Sequence, residues 1–226
     1  MFLSEGGSIH VDGEGTLLTT SECLLQPNKA GPPRCRNPGL SKQQIESTLC
    51  RHLGVSKVLW VPRGVAGDDD TNGHVDNMVC FVRPGVVALH WADADEDPEQ
   101  HARSQEALEY LASQTDAAGR KLDVVKVFAP RALVRTAAEC KGIVKVHGTF
   151  DLRAPGEALP GSYINFYLPT GGVVVPQFGD VERDALAVAV LQRQFPDREV
   201  VPVLSRDILC GGGNIHCITM QQPLPA

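Results

Sequence analysis

The 226-residue sequence contains no apolar run long enough to cross a lipid bilayer. Its first residues, 1–5, do not show the basic and then apolar pattern of a secretion signal. Basic side chains do not cluster, and the formal net charge is −6, which argues against nucleic acid and membranes as partners and mildly favours cationic ligands. These absences predict a globular protein of the cytoplasm.

Cysteine pairs at the spacing of structural zinc sites are also absent. The seven cysteines are odd in number and scattered through apolar stretches, with no C-x-x-C pair among them. We therefore expect reduced thiols rather than disulfides or a zinc centre. The length of the chain fits one large domain or two small ones.

What the sequence does contain is an order of strand and helix signals that recurs. Each unit resembles two strands joined by a turn, then a capped helix, then a third strand. Three such units cover roughly residues 5–66, 67–130 and 160–223. The alternative is an ordinary α/β sheet whose hairpins look alike by chance.

Caps and turn residues set the expected element boundaries. Ser41 is a helix cap, Gly54 ends the same helix, and Asp97 caps the helix of the second unit. In the third unit, residues 163–176 are predicted to form a hairpin. Residues 26–39 are rich in Pro, Gly and basic side chains, which predicts an exposed loop.

Polar clusters fall at the beginnings and ends of these units. Glu5-Gly6-Gly7 precedes the first hairpin, residues 68–77 precede the second, and residues 214–217 follow the last strand. Equivalent ends of a repeated unit tend to meet in space. The sequence therefore predicts one site built from the three clusters.

His74 and Asp76 are two residues apart, so an extended backbone would point both side chains to one face. A neighbouring carboxylate raises the pKa of a histidine, which would make His74 a candidate general acid and base. The alternative is a histidine that caps a strand beside a loop aspartate. The run Asp68–Asp70 is predicted to be a solvated loop rather than a metal site, because hard metals need converging ligands.

The three glycines Gly211, Gly212 and Gly213 allow backbone conformations closed to other residues. They could turn successive N–H groups inward, and such a turn would favour a thiolate on Cys217. The alternative is a glycine-rich loop that enters a last buried strand, with Cys217 as a small core residue.

These residues suggest a chemistry when they are considered together. A thiol nucleophile such as Cys217 needs a charge partner and a proton shuttle, for which His74 is a candidate. Glu5 and Asp76 beside it would bind a planar cation through paired hydrogen bonds. A guanidinium is such a cation, and its central carbon is open to attack by a thiolate.

Four segments of the sequence resemble the agmatine deiminase family of the guanidino-group-modifying (amidinotransferase-like) superfamily. The resemblance runs nearly end to end. It implies a single α/β domain over residues 1–226, built of ββαβ modules in a pseudo-fivefold α/β propeller, of which this chain would hold about three of five. The matching segments are EGGSIHVDGEGTLLTT at 5–20, DTNGHVDN at 70–77, PQFGD at 176–180 and GGGNIHCIT at 211–219.

The resemblance also implies a reaction. Family members hydrolyse agmatine to N-carbamoylputrescine and ammonia, a step of putrescine and polyamine biosynthesis, without a metal or an organic cofactor. By position, Cys217 would be the nucleophile and His74 the proton shuttle, while Asp76 and Glu5 would hold the guanidinium and orient the histidine. The backbone of the triple glycine, residues 211–213, would be part of the substrate cradle. A homo-oligomer is left open.

The sequence departs from the family pattern in three places. The family carries two more modules before the Glu-Gly-Gly motif, one of which holds a substrate-binding Asp in a Trp-x-Arg-Asp-x-Gly-Pro segment that is absent here. Residues 27–36 look like an insertion, and Met220 stands where glutamine is expected. Two alternatives follow. One is an inactive chain that binds ligand or assembles with a full-length subunit, and the other is a sibling hydrolase of arginine or peptidyl arginine, which would need a basic partner for a carboxylate.

Overall fold

The computed structural model describes residues 2–27, 35–142 and 154–222. The strands in these ranges form three separate sheets, of three, three and two strands. Every pair of strands that is joined through a long helix is parallel, and the two hairpins are antiparallel. The fold is therefore mixed α/β.

The first sheet contains β1 (His10–Val11), β2 (Thr16–Thr20) and β3 (Lys57–Val61). β1 and β2 are the antiparallel arms of the predicted hairpin, and β2 pairs with β3 in parallel. All residues of β2 are buried. The central strand of this sheet is thus covered on both faces, as parallel pairs usually are.

In the described part of the connection from β2 to β3 lie two helices, α1 (Ser21–Leu25) and α2 (Lys42–Leu53). Ser41 and Gln44 form the predicted capping box at the start of α2. Gly54 ends that helix in the left-handed conformation, with a φ of 67°.

The second sheet contains β4 (Val79–Arg83), β5 (Val86–Trp91) and β6 (Asp123–Phe128), with α3 (Pro98–Ala112) between β5 and β6. Asp97 caps α3 through a hydrogen bond from the Gln100 N–H, as expected from the sequence. None of the helices within the described ranges is both long enough and apolar enough to cross a membrane.

The third sheet pairs β7 (Gly172–Gln177) with β8 (Glu199–Leu204) in parallel. The short helix α4 (Ala137–Lys141) precedes this sheet, α5 (Val181–Gln194) connects its two strands, and α6 (Arg206–Leu209) follows it. α6 leads directly into the triple glycine.

The predicted first arm of the third hairpin does not form a strand. In the range 163–168, Tyr167 makes a single bridge to Val174. Residues 161–166 are all buried, but apart from this bridge they do not pair as a strand. The Asn165 N–H instead closes a turn on the Ser162 carbonyl at 3.2 Å.

The second sheet lies between two hydrophobic cores. Phe81 and Leu89 pack into the core shared with the first sheet, whereas Cys80 and Ala88 pack into the core shared with the third. Successive side chains of a strand point to opposite faces, so β4 and β5 contribute to both cores. This shared packing holds the three sheets together.

Some apolar side chains remain outside these cores. On β8, Val203 is 37% exposed and Leu204 is 70% exposed. Leu53 on α2 and Leu186 on α5 are exposed as well. β8 is therefore an open edge with an apolar side.

His90 is a buried titratable residue on β5 that connects this strand to the chain around residue 77. The Ser162 hydroxyl donates to the Asn77 carbonyl at 2.8 Å, so its oxygen accepts from His90 Nδ1, 3.0 Å away. Burial lowers the pKa of His90 to about 4.

We predict that the free energy of unfolding falls as the pH decreases from 6.5 to 4. Between these values His90 binds a proton in the unfolded chain and stays neutral in the folded one, so His90 alone contributes on the order of 3 kcal/mol at most. Burial also lowers the pKa of His10 to about 4, and this residue adds to the loss in the same direction. Urea unfolding at several pH values measures this. His90→Asn should flatten the slope, while His52→Asn on the exposed side of α2 should not. An unchanged slope in His90→Asn contradicts the assignment.

Candidate active site

Three short 3₁₀ turns bring the predicted site residues together: Gly6–Ser8, Val75–Asn77 and His216–Ile218. The first turn contacts both of the others. Glu5 and His74 immediately precede the first two turns, and the remaining two site residues lie within the last two. The unit ends that the sequence marked as polar therefore do meet in space.

Gly7 lies where the site is most crowded. A Cβ atom on Gly7 would be 2.5 Å from His74 Nδ1 and 2.6 Å from Asp76 Oδ2, so only glycine fits. The backbone of residues 75–77 is a turn rather than the extended segment expected from the sequence. His74 and Asp76 nevertheless reach the same place, next to Gly7.

The loop before His74 is fixed by the end of β2 and the start of α1. The Thr20 hydroxyl donates to the Gly73 carbonyl at 2.6 Å, and the Asn72 amide donates to the Glu22 carbonyl at 3.0 Å. The buried Glu22 carboxylate also accepts from the Gly64 N–H at 2.9 Å. The first sheet thus determines where His74 is presented.

Asp76 is a buried carboxylate in which one oxygen accepts a hydrogen bond and the other, called here the open oxygen, has no hydrogen-bond partner among the described residues. Its Oδ2 accepts from His216 Nδ1 at 2.8 Å and lies 3.5 Å from Cys217 Sγ. The Gln221 amide nitrogen lies 3.0 Å from His216 Nε2, which leaves the ring proton on Nδ1 for Asp76. Among the described residues, Asp76 Oδ1 is buried without a hydrogen-bond partner. This oxygen is the acceptor available to a ligand.

Cys217 is exposed as a residue, but its sulfur lies among polar neighbours. Loss of hydration and then the negative charge of Asp76 raise the pKa of Cys217 to about 12, although the Asn214 N–H and the Asn165 amide oppose them. The Asn165 amide lies 3.4 Å from Cys217 Sγ. In the absence of ligand, the site therefore favours the thiol, contrary to the stabilised thiolate expected from the sequence.

The triple glycine does not form the expected anion-binding turn. The N–H of Gly211 donates to the Ile208 carbonyl at 2.8 Å, and the N–H of Gly212 donates to the Leu209 carbonyl at 2.9 Å. Both groups therefore complete the end of α6. A Cβ on Gly213 would lie only 2.8 Å from the Cβ of the catalytic candidate at 217, so this glycine allows a close approach. The part of residues 211–213 in a substrate cradle stays a prediction.

Glu5 is held by an arginine that the sequence placed in an exposed loop. Glu5 Oε2 accepts from Arg36 Nε at 2.7 Å and lies 3.4 Å from His74 Nε2. The hydrogen bond with His74, together with the charge and hydrogen bond of Arg36, lowers the pKa of Glu5 to about 2 against the opposing effect of burial. The Arg36 side chain is only 9% exposed, so the expected solvated loop is wrong at this residue. Residues 28–34 of that loop lie outside the described ranges.

One group of side chains has the residue types of a metal site. Ligand atoms of Glu5, Cys23 and His74 lie within 4.8 Å of one another. The Arg36 guanidinium already contacts Glu5 and lies 3.4 Å from His74 Nε2, so a second cation would meet like charge. Burial also raises the pKa of Cys23 to about 12, which disfavours the thiolate that a metal needs.

Asp68 is buried, contrary to the solvated loop predicted for residues 68–70. Its carboxylate accepts from the Thr71 hydroxyl and, at 3.1 Å, from the Thr71 N–H. Burial raises the pKa of Asp68. This aspartate shapes the turn that leads to His74, whereas Asp69 and Asp70 are exposed.

Sequence reasoning missed three residues of the site: Arg36, Asn165 and His216. Asn165 Oδ1 accepts from the His216 N–H at 3.0 Å, and its amide faces the sulfur of Cys217. His216 lies in the polar cluster of residues 214–217, but nothing in the sequence indicates that it pairs with a carboxylate 140 residues away.

Comparisons with known proteins agree with this architecture. The model of a family described as Porphyromonas-type peptidyl-arginine deiminase matches residues 1–223. Over 220 residues, the chain is 54% identical to the agmatine deiminase of Medicago truncatula, covering 97% of this chain and 56% of that protein. It is 52% identical over 224 residues to the agmatine deiminase of Pseudomonas aeruginosa, covering 99% of this chain and 58% of that protein.

The solved structure of the agmatine deiminase of Enterococcus faecalis superposes with a TM-score of 0.88 at 43% identity. The match covers 98% of this chain and 57% of that one. The chain therefore spans somewhat more than half the length of the relatives it matches.

We predict slow alkylation of Cys217 by iodoacetamide at pH 8 in the ligand-free chain, because its thiol is protonated. Asp76→Asn removes a neighbouring negative charge and should speed the reaction on the order of tenfold. Peptide mapping after limited labelling measures both rates, with Cys50 on α2 as the internal control. If Cys217 already reacts fastest in the unaltered chain, the expectation of a stabilised thiolate was right and the present assignment is wrong.

Proposed function

This chain belongs to the Porphyromonas-type peptidyl-arginine deiminase family, and from that premise we propose that its site hydrolyses agmatine to N-carbamoylputrescine and ammonia. The observation that carries the proposal is the buried, unpartnered Oδ1 of Asp76, on the carboxylate that also contacts Cys217. The names of the relatives supply the substrate. The reaction belongs to putrescine biosynthesis, and we expect it in the cytoplasm.

Binding of a guanidinium explains how a protonated thiol becomes a nucleophile. The cation would donate to Asp76 Oδ1, the open acceptor of the site. Its positive charge would offset the negative charge that raises the pKa of Cys217. Substrate binding and thiol ionisation are thereby coupled, so the reactive thiolate forms when the cation is present.

The chemistry then follows in two stages. The Cys217 thiol passes its proton to His74, its sulfur attacks the central guanidinium carbon, and the bond from that carbon to a terminal nitrogen breaks. His74 gives that proton to this nitrogen as ammonia leaves, and a thiouronium remains on the cysteine. Water, deprotonated by His74, attacks the same carbon, and the C–S bond breaks to release the ureido product, while His74 returns the proton to the Cys217 sulfur. Glu5 orients His74 through its contact at 3.4 Å.

Arginine is the second candidate substrate, because the structure contains a basic residue that could face a carboxylate. Arg135 lines a cavity of about 220 Å³ together with Gly212, and its Nη1 donates to the Cys210 carbonyl at 2.8 Å. Asp69 and Asp70 line the same cavity and would favour an ammonium such as that of agmatine, but His74, Asp76 and Cys217 do not line it. The rates of ammonia release from agmatine, from arginine and from a peptide with an internal arginine distinguish the two candidate substrates.

Variants at the three central residues test the reaction in a completed protein, in which the N-terminal region of the Medicago relative precedes this chain. Cys217→Ser should release no ammonia from agmatine, since an alcohol is far harder to ionise than a thiol. His74→Ala should keep agmatine binding and lose turnover. Asp76→Asn should weaken binding by roughly tenfold to a hundredfold, the equivalent of one charge-assisted hydrogen bond.

Ammonia release and calorimetric titration with agmatine measure these effects, and circular dichroism checks folding. Arg51→Gln, on the exposed side of α2, is the matched control and should behave as the unaltered protein. Turnover by Cys217→Ser would exclude the covalent route. Faster turnover of arginine than of agmatine would favour the sibling hydrolase.

We further propose that the three sheets are part of a pseudo-fivefold ring of ββαβ modules. The exposed apolar side chains of β8 support this, because a closed ring would cover such an edge. The chain alone would then lack one carboxylate of the pocket and leave the site open to water, where charge pairs are weak. This favours the alternative of an inactive chain that binds ligand or assembles with a longer subunit.

We predict that the 226-residue chain alone releases no detectable ammonia from agmatine and self-associates. Light scattering after size exclusion measures the association. Leu204→Lys should reduce it, while Leu53→Lys on α2 should not, because only the first lies on the open edge of β8. A monomeric chain that turns over agmatine would show that the further modules are dispensable.

A further inference from the structure

Asn37 ties the segment that carries Glu5 to the loop that precedes α2. Its side chain is buried and pairs with one residue twice: Oδ1 accepts from the Leu3 N–H at 2.8 Å, and Nδ2 donates to the Leu3 carbonyl at 2.9 Å. Two bonds in opposite directions fix both the position and the orientation of a backbone. The segment around Leu3 is therefore anchored two residues before Glu5.

Arg36, the preceding residue, contacts three separate parts of the site. Its Nε donates to Glu5 Oε2 at 2.7 Å, Nη1 to the Cys23 carbonyl at 3.2 Å and Nη2 to the Thr71 carbonyl at 2.6 Å. These groups lie just before the first turn, in α1 and in the loop before His74. A guanidinium presents its donors in a fixed plane, so the three acceptors are held in one geometry.

The buried positive charge of Arg36 also requires a negative charge beside it. A buried cation is costly unless it is paired and hydrogen-bonded, and Glu5 provides the opposite charge. Since Glu5 Oε2 is committed to Arg36, this oxygen is not free to bind a substrate guanidinium. The arrangement assigns Glu5 to the orientation of His74 rather than to direct binding of the substrate through Oε2.

We propose that Arg36, anchored by Asn37, is a positioning residue that holds the Glu5 carboxylate against His74 and fixes the Thr71 loop. The geometry of this proposal is independent of the reaction, and only its catalytic consequence rests on the proposed function. Lysine cannot replace Arg36, because a single ammonium cannot reach Glu5, Cys23 and Thr71 in one plane.

The titration of Glu5 reports on this arrangement directly. The groups that face its carboxylate are His74, Arg36 and Cys23. Loss of the Arg36 cation should raise the pKa of Glu5 from about 2 toward its ordinary value, while the hydrogen bond with His74 still lowers it in part.

The experiment uses the 226-residue chain with ¹³C-labelled glutamate, followed by NMR across the acid range. The Glu5 resonance is assigned as the one missing in Glu5→Gln. Arg36→Gln should raise the pKa of Glu5 by about one unit or more, and Arg51→Gln should leave it unchanged. An unchanged Glu5 titration in folded Arg36→Gln overturns the proposal.

Asn37→Ala keeps the guanidinium and removes only its anchor, so it decides the question if Arg36→Gln does not fold. We expect the Leu3 amide to exchange with solvent at least about tenfold faster and the pKa of Glu5 to rise. If neither the exchange rate of the Leu3 amide nor the pKa of Glu5 changes in Asn37→Ala, the anchoring role of Asn37 is contradicted.

In the completed protein, Arg36→Gln should lower kcat for agmatine with little change in KM, and Arg36→Lys should restore less than half of the loss. If the unaltered completed protein has no activity while Glu5 titrates as expected, the proposed function fails and the positioning role stands. If it is active and Arg36→Gln retains full kcat, the positioning role has no catalytic consequence and the proposal is overturned.

Discussion

The hydrogen bond from His216 to Asp76 is the contact on which the site depends. It joins groups 140 residues apart, at 2.8 Å, in the interior of the protein. Because His216 occupies one oxygen of the carboxylate, the other oxygen remains open, and because Cys217 is next in sequence, its sulfur is brought to 3.5 Å from the same group. Breaking this contact would leave a buried charge uncompensated and would release the nucleophile from its charge partner.

Charge balance explains the different roles of the two carboxylates predicted to hold a guanidinium. Glu5 already has a cation, Arg36, whereas Asp76 has a histidine and an open oxygen. The first is suited to orienting His74 and the second to receiving a cation from solvent. The high pKa of Cys217 follows first from loss of hydration and then from the negative charge of Asp76. A bound cation would pair with the open oxygen of Asp76 and would also lower the pKa of Cys217. Substrate binding is thereby coupled to formation of the thiolate.

Structural features that depend on neighbouring residues were predicted from the sequence, whereas contacts between distant residues were not. Helix caps such as Ser41 and Asp97 act within one turn, and both were recognised. The pairing of Arg36 with Glu5 spans 31 residues and leaves no local trace. The expected strand at 163–168 is not formed because the Asn165 N–H closes a local turn on the Ser162 carbonyl. The inward turn at residues 211–213 failed because its first two N–H groups complete α6.

The central claim is that the open oxygen of Asp76 receives a guanidinium. The most direct measurement is the ¹³C resonance of the Asp76 carboxyl in the 226-residue chain, assigned with Asp76→Asn and followed during titration with agmatine or putrescine. Both ligands carry an ammonium, but only agmatine carries a guanidinium. The account predicts a saturable shift with agmatine and none with putrescine. An equal response to both ligands, or no response to agmatine, would contradict it.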